Sequence, residues 1–299
     1  MKVLITGAYG LIGSRILELA PKNWEIITLS DELKKEEFKN AFHVNADIRD
    51  IEKIEKAFFE YEPDWILHLA AYTNVDGAER EKNLAYEINC LGTKNIAALS
   101  KKVGAKLIFL STDHVFDGRN GNFKEEDKTN PINYYGFTKL KGEEEVLKNA
   151  ATYTILRISY PYRAKFEPKS DFFRFILKSL TTGKSLKLVS DQFITPTFID
   201  DLALIIFSVI KRNIFGLYHS GGRECITFFD MGKLISKIFG LEEKLITETS
   251  LEMFLKESGR IAKQPKKSCL DSSNLKNKHN LEVRGISSVL PEIRKEMVF

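Results

Sequence analysis

Near the start of the chain stands Val3-Leu4-Ile5-Thr6-Gly7-Ala8-Tyr9-Gly10-Leu11-Ile12-Gly13, a short apolar run followed by regularly spaced glycines. An apolar run that ends at glycine predicts a buried strand, and Leu11 to Leu19 has the periodicity of a helix. Glycines between a strand and a helix are typical of a dinucleotide-binding loop, where the backbone approaches a pyrophosphate at the helix N-terminus. A plain strand–turn–helix connection is the alternative, since the spacing differs from the commoner Gly-x-Gly-x-x-Gly.

The first half of the chain continues the alternation of strands and helices. Apolar or β-branched runs begin at Glu25, Phe42, Trp65, Lys106 and Thr154, and the segments between them have helical periodicity. Strands alternating with helices of this length indicate βαβ units and a parallel sheet. The predicted fold class is therefore α/β: a Rossmann-type doubly wound parallel sheet with a smaller α/β substrate-binding domain.

The domain boundaries follow from a change of pattern after residue 158. Beyond it the alternation loosens, and helix-like segments are separated by connections containing glycine, proline and lysine. These segments lie at 171–182, 199–211, 227–239 and 286–298. We assign the dinucleotide-binding Rossmann domain to 1–158, completed by about 190–215, and the substrate-binding domain to 159–189 and 216–299.

Composition narrows the class of protein. The 299 residues are 43% hydrophobic and 29% charged, with a net charge of +4, as in an ordinary soluble globular protein. The small net charge argues against a nucleic-acid partner. The longest apolar run, Leu202 to Ile210, is too short to span a membrane. With no targeting segment visible, we predict a cytoplasmic protein.

The cysteines carry a separate prediction. Cys90, Cys225 and Cys269 are odd in number, widely spaced and without a Cys-x-x-Cys pair. We interpret them as buried or free thiols in a reducing compartment, forming neither a disulfide framework nor a zinc site. We predict no metal.

A phenol and an ammonium stand four residues apart at Tyr135 and Lys139. Thr129-Asn130-Pro131 is a helix-start signal, and in the helix that follows both side chains share one face. Lys139 is then expected to lower the tyrosine pKa from about 10 toward the working range of an acid or base. Most such pairs are unrelated surface side chains, but Thr112 ends an apolar run upstream and offers a third polar group.

The glycine loop, His68-Leu69-Ala70-Ala71, Ser111-Thr112 and the Tyr135/Lys139 pair together resemble the extended short-chain dehydrogenase/reductases, along the whole chain. The resemblance implies that Tyr135 exchanges a proton with the substrate oxygen while nicotinamide exchanges a hydride with the attached carbon. It implies that Lys139 supports the tyrosine and binds the nicotinamide ribose, and that Thr112 bonds the same substrate oxygen.

Five further segments, at 70–79, 111–118, 135–143, 191–197 and 265–271, resemble the dTDP-4-dehydrorhamnose reductases. That family reduces the 4-keto group of dTDP-4-dehydro-L-rhamnose to give dTDP-L-rhamnose. By the same resemblance the partners are a nucleotide-sugar substrate and a second copy in a homodimer, and Arg157, Ser159 and Tyr160 line the sugar pocket.

The loop and the resemblance together imply two sets of binding residues. The cofactor-binding set is Gly7, Tyr9, Gly10, Leu11, Ile12, Gly13, Ser30, Asp47, Ile48, Leu69, Ala70, Ala71, Tyr72, Tyr135 and Lys139. The substrate-binding set is Thr73, Val75, Asp76, Thr112, Asp113, His114, Tyr160, Gln192, Thr195 and Pro196. Asp47 has a second interpretation, as a cap of the helix that begins near Asp50.

The end of the second strand bears on the cofactor. Ser30 does not repel a 2′-phosphate, and Lys34 or Lys35 could reach one, so the sequence favours NADPH over NADH.

Two departures from the family pattern leave the sugar open. Members usually have tyrosine in place of His114 and often tryptophan in place of Tyr160. His114 is either a packing residue or an additional acid/base, and its position after Asp113 disfavours a 4,6-dehydratase. Two other functions stay open: a regulatory β subunit of methionine adenosyltransferase, and a reductase or epimerase of another nucleotide sugar.

Overall fold

The first strand and helix lie where the glycine loop predicts them. Strand β1 covers Lys2–Thr6 and helix α1 covers Leu11–Leu19 in a computed structural model that describes residues 1–31, 38 and 41–297. The apolar residues of β1 are fully buried.

A seven-stranded sheet organises the molecule, in the order β3-β2-β1-β4-β5-β6-β9. Its other strands are β2 (Glu25–Ser30), β3 (Phe42–Asn45), β4 (Trp65–His68), β5 (Lys106–Thr112), β6 (Tyr153–Ile158) and β9 (Gly216–His219). The pairs from β3 to β5 are parallel. The predicted doubly wound α/β fold is confirmed, and the strand order reverses direction between β1 and β4, where such sheets bind ligands.

Helices connect these strands. They are α2 (Ile51–Tyr61), α3 (Val75–Arg80), α4 (Lys82–Tyr86), α5 (Thr93–Val103) and α6 (Tyr134–Asn149). The segment between β4 and β5 is helical as predicted, but a π-helical turn at Glu87–Gly92 lies between α4 and α5. Such turns insert one extra residue per turn and occur often at functional sites.

The chain divides into two compact units. The first contains 1–115, 133–157 and 206–218, and the second contains 116–132, 158–205 and 219–299. Residues 116–132 and 190–205 therefore fall in the second unit, although the predicted boundaries place them in the Rossmann domain. Long-range pairing accounts for the former, since Phe123 bridges to Leu270 and the Gly118 carbonyl accepts from the Lys267 N–H at 2.9 Å.

The second unit has two small sheets. Parallel β7 (Leu186–Val189) and β11 (Ile246–Thr249) form one, and antiparallel β8 (Phe193–Ile194) and β10 (Ile226–Thr227) form the other. The remaining helices are α7 (Phe172–Thr181), α8 (Ile199–Arg212), α9 (Phe228–Phe239), α10 (Leu251–Ser258), α11 (Ser273–His279) and α12 (Ile286–Glu296). Within the described ranges, no helix is both long and apolar enough to cross a membrane.

The prediction that the cysteines form no disulfide is wrong. Cys225 and Cys269 form a disulfide, with their Cα atoms 5.6 Å apart, while Cys90 is a buried free thiol. The two bonded cysteines are 44 residues apart in sequence, and it is tertiary pairing that brings their loops together. The predicted reducing compartment rested on unpaired cysteines, so the disulfide removes its support.

Candidate active site

The glycine loop is shaped by close backbone contacts. Gly7 has φ +63°, and a Cβ there would lie 2.7 Å from the Ala70 nitrogen, in the segment that follows β4. A Cβ on Gly13 would lie 2.5 Å from the Gly7 carbonyl oxygen, so this glycine lets α1 close on the loop. No side chain caps the start of α1 at Gly10. This cradle at the β1–β4 switch point fits a dinucleotide pyrophosphate.

A buried histidine fastens the ends of β1 and β4 together. His68 Nδ1 lies 2.7 Å from Thr6 Oγ1, which also accepts the backbone N–H groups of Leu69 and Ala70. On the other side, Nε2 lies 3.0 Å from Thr93 Oγ1. Burial, with repulsion from Lys139, lowers the His68 pKa to about 3, so the imidazole is neutral and structural.

Asn89, in the π-helical turn, joins the segment after β4 to α6. Its Oδ1 accepts from the Tyr72 N–H at 2.8 Å, and its Nδ2 donates to the Tyr72 carbonyl and to Thr138 Oγ1. Asn89 is fully buried. Sequence reasoning missed this residue, because only the tertiary structure shows that one amide serves both segments.

The residues expected at the adenosine end lie after β2 and β3. Ser30 ends β2, and Asp47 binds the guanidinium and backbone N–H of Arg49. The Asp47 cap interpretation is wrong, because Asp50 caps α2 through the Lys53 N–H. Lys34 and Lys35, on which the NADPH preference partly rests, lie outside the described residues.

Two further residues of the cofactor-binding set have buried side chains. Tyr9 is 2% exposed, and its hydroxyl lies 3.1 Å from Thr28 Oγ1 and 3.0 Å from His43 Nδ1. Ile48 is 5% exposed and belongs to the core under the sheet.

Helix α6 begins at Tyr134, after an asparagine cap. The Asn133 side chain accepts from the Gly136 N–H at 2.8 Å. The start predicted at Thr129-Asn130-Pro131 is therefore wrong by several residues, because Asn133 supplies the capping oxygen. Tyr135 and Lys139 nevertheless both lie within the helix, on one face as predicted.

Tyr135 lies beside Thr112, the last residue of β5. Burial raises the pKa of the Tyr135 phenol to about 12, a hydrogen bond with Thr112 lowers it in part, and Asp113 adds to the rise. The expectation that Lys139 lowers this pKa is therefore wrong for the chain alone, because burial outweighs the other influences. A protonated phenol at neutral pH is the form that donates a proton.

Lys139 is 3% exposed, and its Nζ lies 4.1 Å from the centroid of the Phe109 ring. Burial lowers the Lys139 pKa to about 7, while the negative charge of Glu143 acts in the opposite direction. At neutral pH this ammonium therefore changes its charge readily.

We expect this buried lysine to make stability depend on pH. Below about pH 7 the folded state bears the whole penalty of burying the charge; above it the folded protein loses the proton before the unfolded chain, so stability rises. Between pH 7 and pH 9 the wild type should gain about 2 kcal/mol of unfolding free energy relative to Lys139→Met. Urea unfolding in the absence of nucleotide measures this difference. Unfolding free energies that change equally with pH in the two proteins would contradict the prediction. Lys148→Met, at an exposed position on α6, should keep the wild-type slope.

A buried ion pair joins α6 to β6. Arg157 Nε and one terminal nitrogen donate to the two carboxylate oxygens of Glu143 at 2.9 and 2.6 Å. Ser111 Oγ donates to the same carboxylate at 2.5 Å. Arg157 is 3% exposed, and these bonds hold its guanidinium on Glu143.

Gly136 allows α6 to approach the end of β5. A Cβ on this residue would lie 2.1 Å from the His114 carbonyl oxygen. We expect Gly136→Ala to displace Tyr135 and to lower kcat by about 100-fold, since ångström-scale misplacement of a reacting group has effects of this size. Glu144→Ala, at an exposed position on the same helix, is the control, and kcat is compared in the two variants. Wild-type turnover by Gly136→Ala would show that this contact does not position the tyrosine.

The predicted substrate residues of the first unit occupy two segments. Asn74 caps α3, which begins at Val75 and contains Asp76, and Thr73 before it is exposed. Asp113 and His114 follow β5 and are buried. Thr112 Oγ1 donates to Asp113 Oδ1 at 3.1 Å and accepts from the His114 N–H at 3.2 Å.

The second unit contains a cavity of about 410 Å³. Its lining includes Tyr160 and Gln192 of the predicted substrate-binding set, together with Phe172, Phe228 and Arg260. Thr195 and Pro196 are buried instead in packing: Thr195 Oγ1 accepts from the Leu270 N–H, and the Pro196 carbonyl lies against Gly222. Within the described ranges, no group of three or more His, Cys, Asp or Glu side chains is arranged to hold a metal ion.

Comparison with known proteins adds a relationship along the whole chain. A family model described as the RmlD substrate binding domain matches residues 1–298. A crystal structure of dTDP-4-dehydrorhamnose reductase from Bacillus anthracis, in complex with NADP, is 31% identical, covers 99% of each chain and has a TM-score of 0.88.

Two other relatives have different descriptions. A probable low-salt glycan biosynthesis reductase of Haloferax volcanii is 31% identical over 92% of this chain and 91% of its own length. The methionine adenosyltransferase 2 subunit beta of Rattus norvegicus is 30% identical over 92% of this chain and 81% of its own length.

Proposed function

The chain belongs to the RmlD family, and we propose that it is an NAD(P)H-dependent reductase that converts dTDP-4-dehydro-L-rhamnose to dTDP-L-rhamnose. The observation that carries the proposal is the grouping of Thr112, Tyr135 and Lys139 in the unit that also holds the glycine cradle. The similarity to a dTDP-4-dehydrorhamnose reductase in complex with NADP supports both the reaction and the cofactor.

These residues supply the proton and the hydrogen bond to the substrate oxygen that a ketone reduction requires. Tyr135, protonated at neutral pH, donates a proton to the substrate oxygen. The Thr112 hydroxyl, at the end of β5, bonds the same oxygen as it gains charge. Lys139 holds a readily exchanged proton one turn along α6. A bound nicotinamide would supply the hydride.

The cavity of the second unit suits a nucleoside. Its volume falls within the range of about 300 to 1,000 Å³ typical of small-molecule sites. The rings of Tyr160, Phe172 and Phe228 offer surfaces for a base, and Arg260 offers a cation for a phosphate. This lining supports a nucleotide-linked substrate without distinguishing among sugars.

The direct test follows NADPH and NADH oxidation by the purified protein with dTDP-4-dehydro-L-rhamnose. We expect turnover, formation of dTDP-L-rhamnose, and a lower KM for NADPH. If the protein reduced another 4-keto nucleotide sugar but not this one, the proposed reductase activity would stand and the proposed substrate would be wrong. An epimerase would retain NAD through purification, so a preparation with stoichiometric bound NAD that produces an epimer would reject the reduction.

A second function is favoured by the similarity to the rat regulatory subunit: an NADP-binding partner of methionine adenosyltransferase. A size shift with methionine adenosyltransferase, by a protein that oxidises neither cofactor with any 4-keto nucleotide sugar, would establish it. Only the family resemblance supports the homodimer, and sedimentation equilibrium checks it.

A further inference from the structure

A buried hydrogen bond joins the end of β5 to the start of α6. Asn133 Nδ2 lies 2.9 Å from His114 Nδ1, and each residue is 5% exposed. His114 comes two residues after Thr112, and Asn133 two residues before Tyr135. The bond therefore links the two segments that carry the hydroxyls of the proposed active site.

The amide of Asn133 is engaged at both ends. Its Oδ1 accepts from the Gly136 N–H at 2.8 Å, which caps α6 and turns the NH2 group toward His114. Because an amide NH2 group only donates, His114 Nδ1 is the acceptor, and the proton of the neutral ring is on Nε2. The helix cap thus selects the tautomer of His114.

His114 also contacts Tyr135 and Thr112. Its ring packs edge-on against the Tyr135 ring, with centroids 5.5 Å apart and an angle of 74° between the planes. Its backbone N–H donates to Thr112 Oγ1 at 3.2 Å. One residue therefore touches the tyrosine ring, the threonine hydroxyl and the cap of the tyrosine's helix.

We propose that His114 and Asn133 form a positioning pair that holds Tyr135 beside Thr112. The proposal rests on the proposed function only for its effect on turnover. In this role His114 exchanges no proton with the substrate; it acts through the tyrosine.

The tautomer gives a test that needs no substrate. In protein labelled with ¹⁵N in its histidine rings, with His114 assigned through His114→Phe, NMR at pH 7.5 should show a proton on Nε2 and none on Nδ1. A proton on Nδ1 would overturn the proposal. If the tautomer is as expected and the wild type reduces no sugar, the proposed function fails while the Asn133–His114 bond stands.

Kinetics test the positioning. Asn133→Ser keeps a capping hydroxyl but removes the amide donor, and should lower kcat at least about tenfold with the KM for NADPH unchanged. His114→Phe keeps a ring but removes the acceptor and should do the same, while His114→Asn, which restores an acceptor, should recover part of the loss. The control is Ser250→Asn, which interchanges serine and asparagine at the N-cap of α10 and should keep the wild-type kcat.

Two outcomes would overturn the positioning role. One is a wild-type kcat in His114→Phe, which applies even if Asn133→Ser fails to fold. The other is an equal loss of kcat in His114→Asn and His114→Phe, because restoring an acceptor would then have no effect, as expected if the His114 ring only fills space.

Discussion

Replacing Tyr135 with phenylalanine is expected to lower kcat by about 1,000-fold or more, because general acid catalysis typically contributes 100- to 10,000-fold. The substitution removes only a hydroxyl from a half-buried ring, so the packing against His114 should persist. NADPH consumption with dTDP-4-dehydro-L-rhamnose measures the loss. NADPH affinity, measured by fluorescence, should stay within a few-fold of the wild type, since the glycine cradle is untouched.

The adjacent tyrosine provides a matched control. Tyr134 begins α6, and its backbone N–H donates to Glu79 at 2.8 Å. Tyr134→Phe therefore deletes the same atom one residue away and should leave kcat near the wild-type value. Equal activity of Tyr135→Phe and the wild type would refute the role assigned to Tyr135.

Replacing Arg157 with leucine should reduce the free energy of unfolding by about 3 to 5 kcal/mol, the usual cost of leaving a buried charge without its partner. The orphaned group would be Glu143, 2% exposed and held in the wild type by two bonds from Arg157 and one from Ser111. Urea unfolding at neutral pH gives the value.

Two comparisons separate this charge effect from a loss of packing. The double variant Glu143→Leu/Arg157→Leu should lose less stability than Arg157→Leu alone, because it buries no unpaired carboxylate. Lys141 and Glu144 form an exposed pair on the same helix, so Lys141→Leu should change stability by less than about 1 kcal/mol. A single variant that is no less stable than the double would count against an electrostatic cause.

Local patterns predicted the elements well. Helix α1 has the predicted ends, and the helices near 171–182, 199–211, 227–239 and 286–298 are present. These features depend on residues that are close together in the sequence, through the spacing of the apolar side chains and the glycine at position 7. The start of α6 has two local signals, Thr129-Asn130-Pro131 and Asn133, and it is the Asn133 side chain that caps the helix.

The errors came from contacts between distant residues. The disulfide joins cysteines 44 residues apart, and the Asn89 amide serves two segments that sequence spacing does not relate. The tyrosine pKa was predicted to fall from a charge one helical turn away, but burial raises it to about 12. Burial depends on the whole surrounding structure, which no local spacing reveals.

The sequence alone therefore predicted the fold class and the glycine cradle, because these depend on short-range periodicity and on residue type, while a family resemblance pointed to Thr112, Tyr135 and Lys139. Tertiary structure decided how those groups behave. It buries Lys139, half-buries Tyr135 beside Thr112, pairs Glu143 with Arg157, and joins Asn133 to His114. Charge, tautomer and hydroxyl position depend on desolvation and on distant partners, and both arise only when the chain has folded.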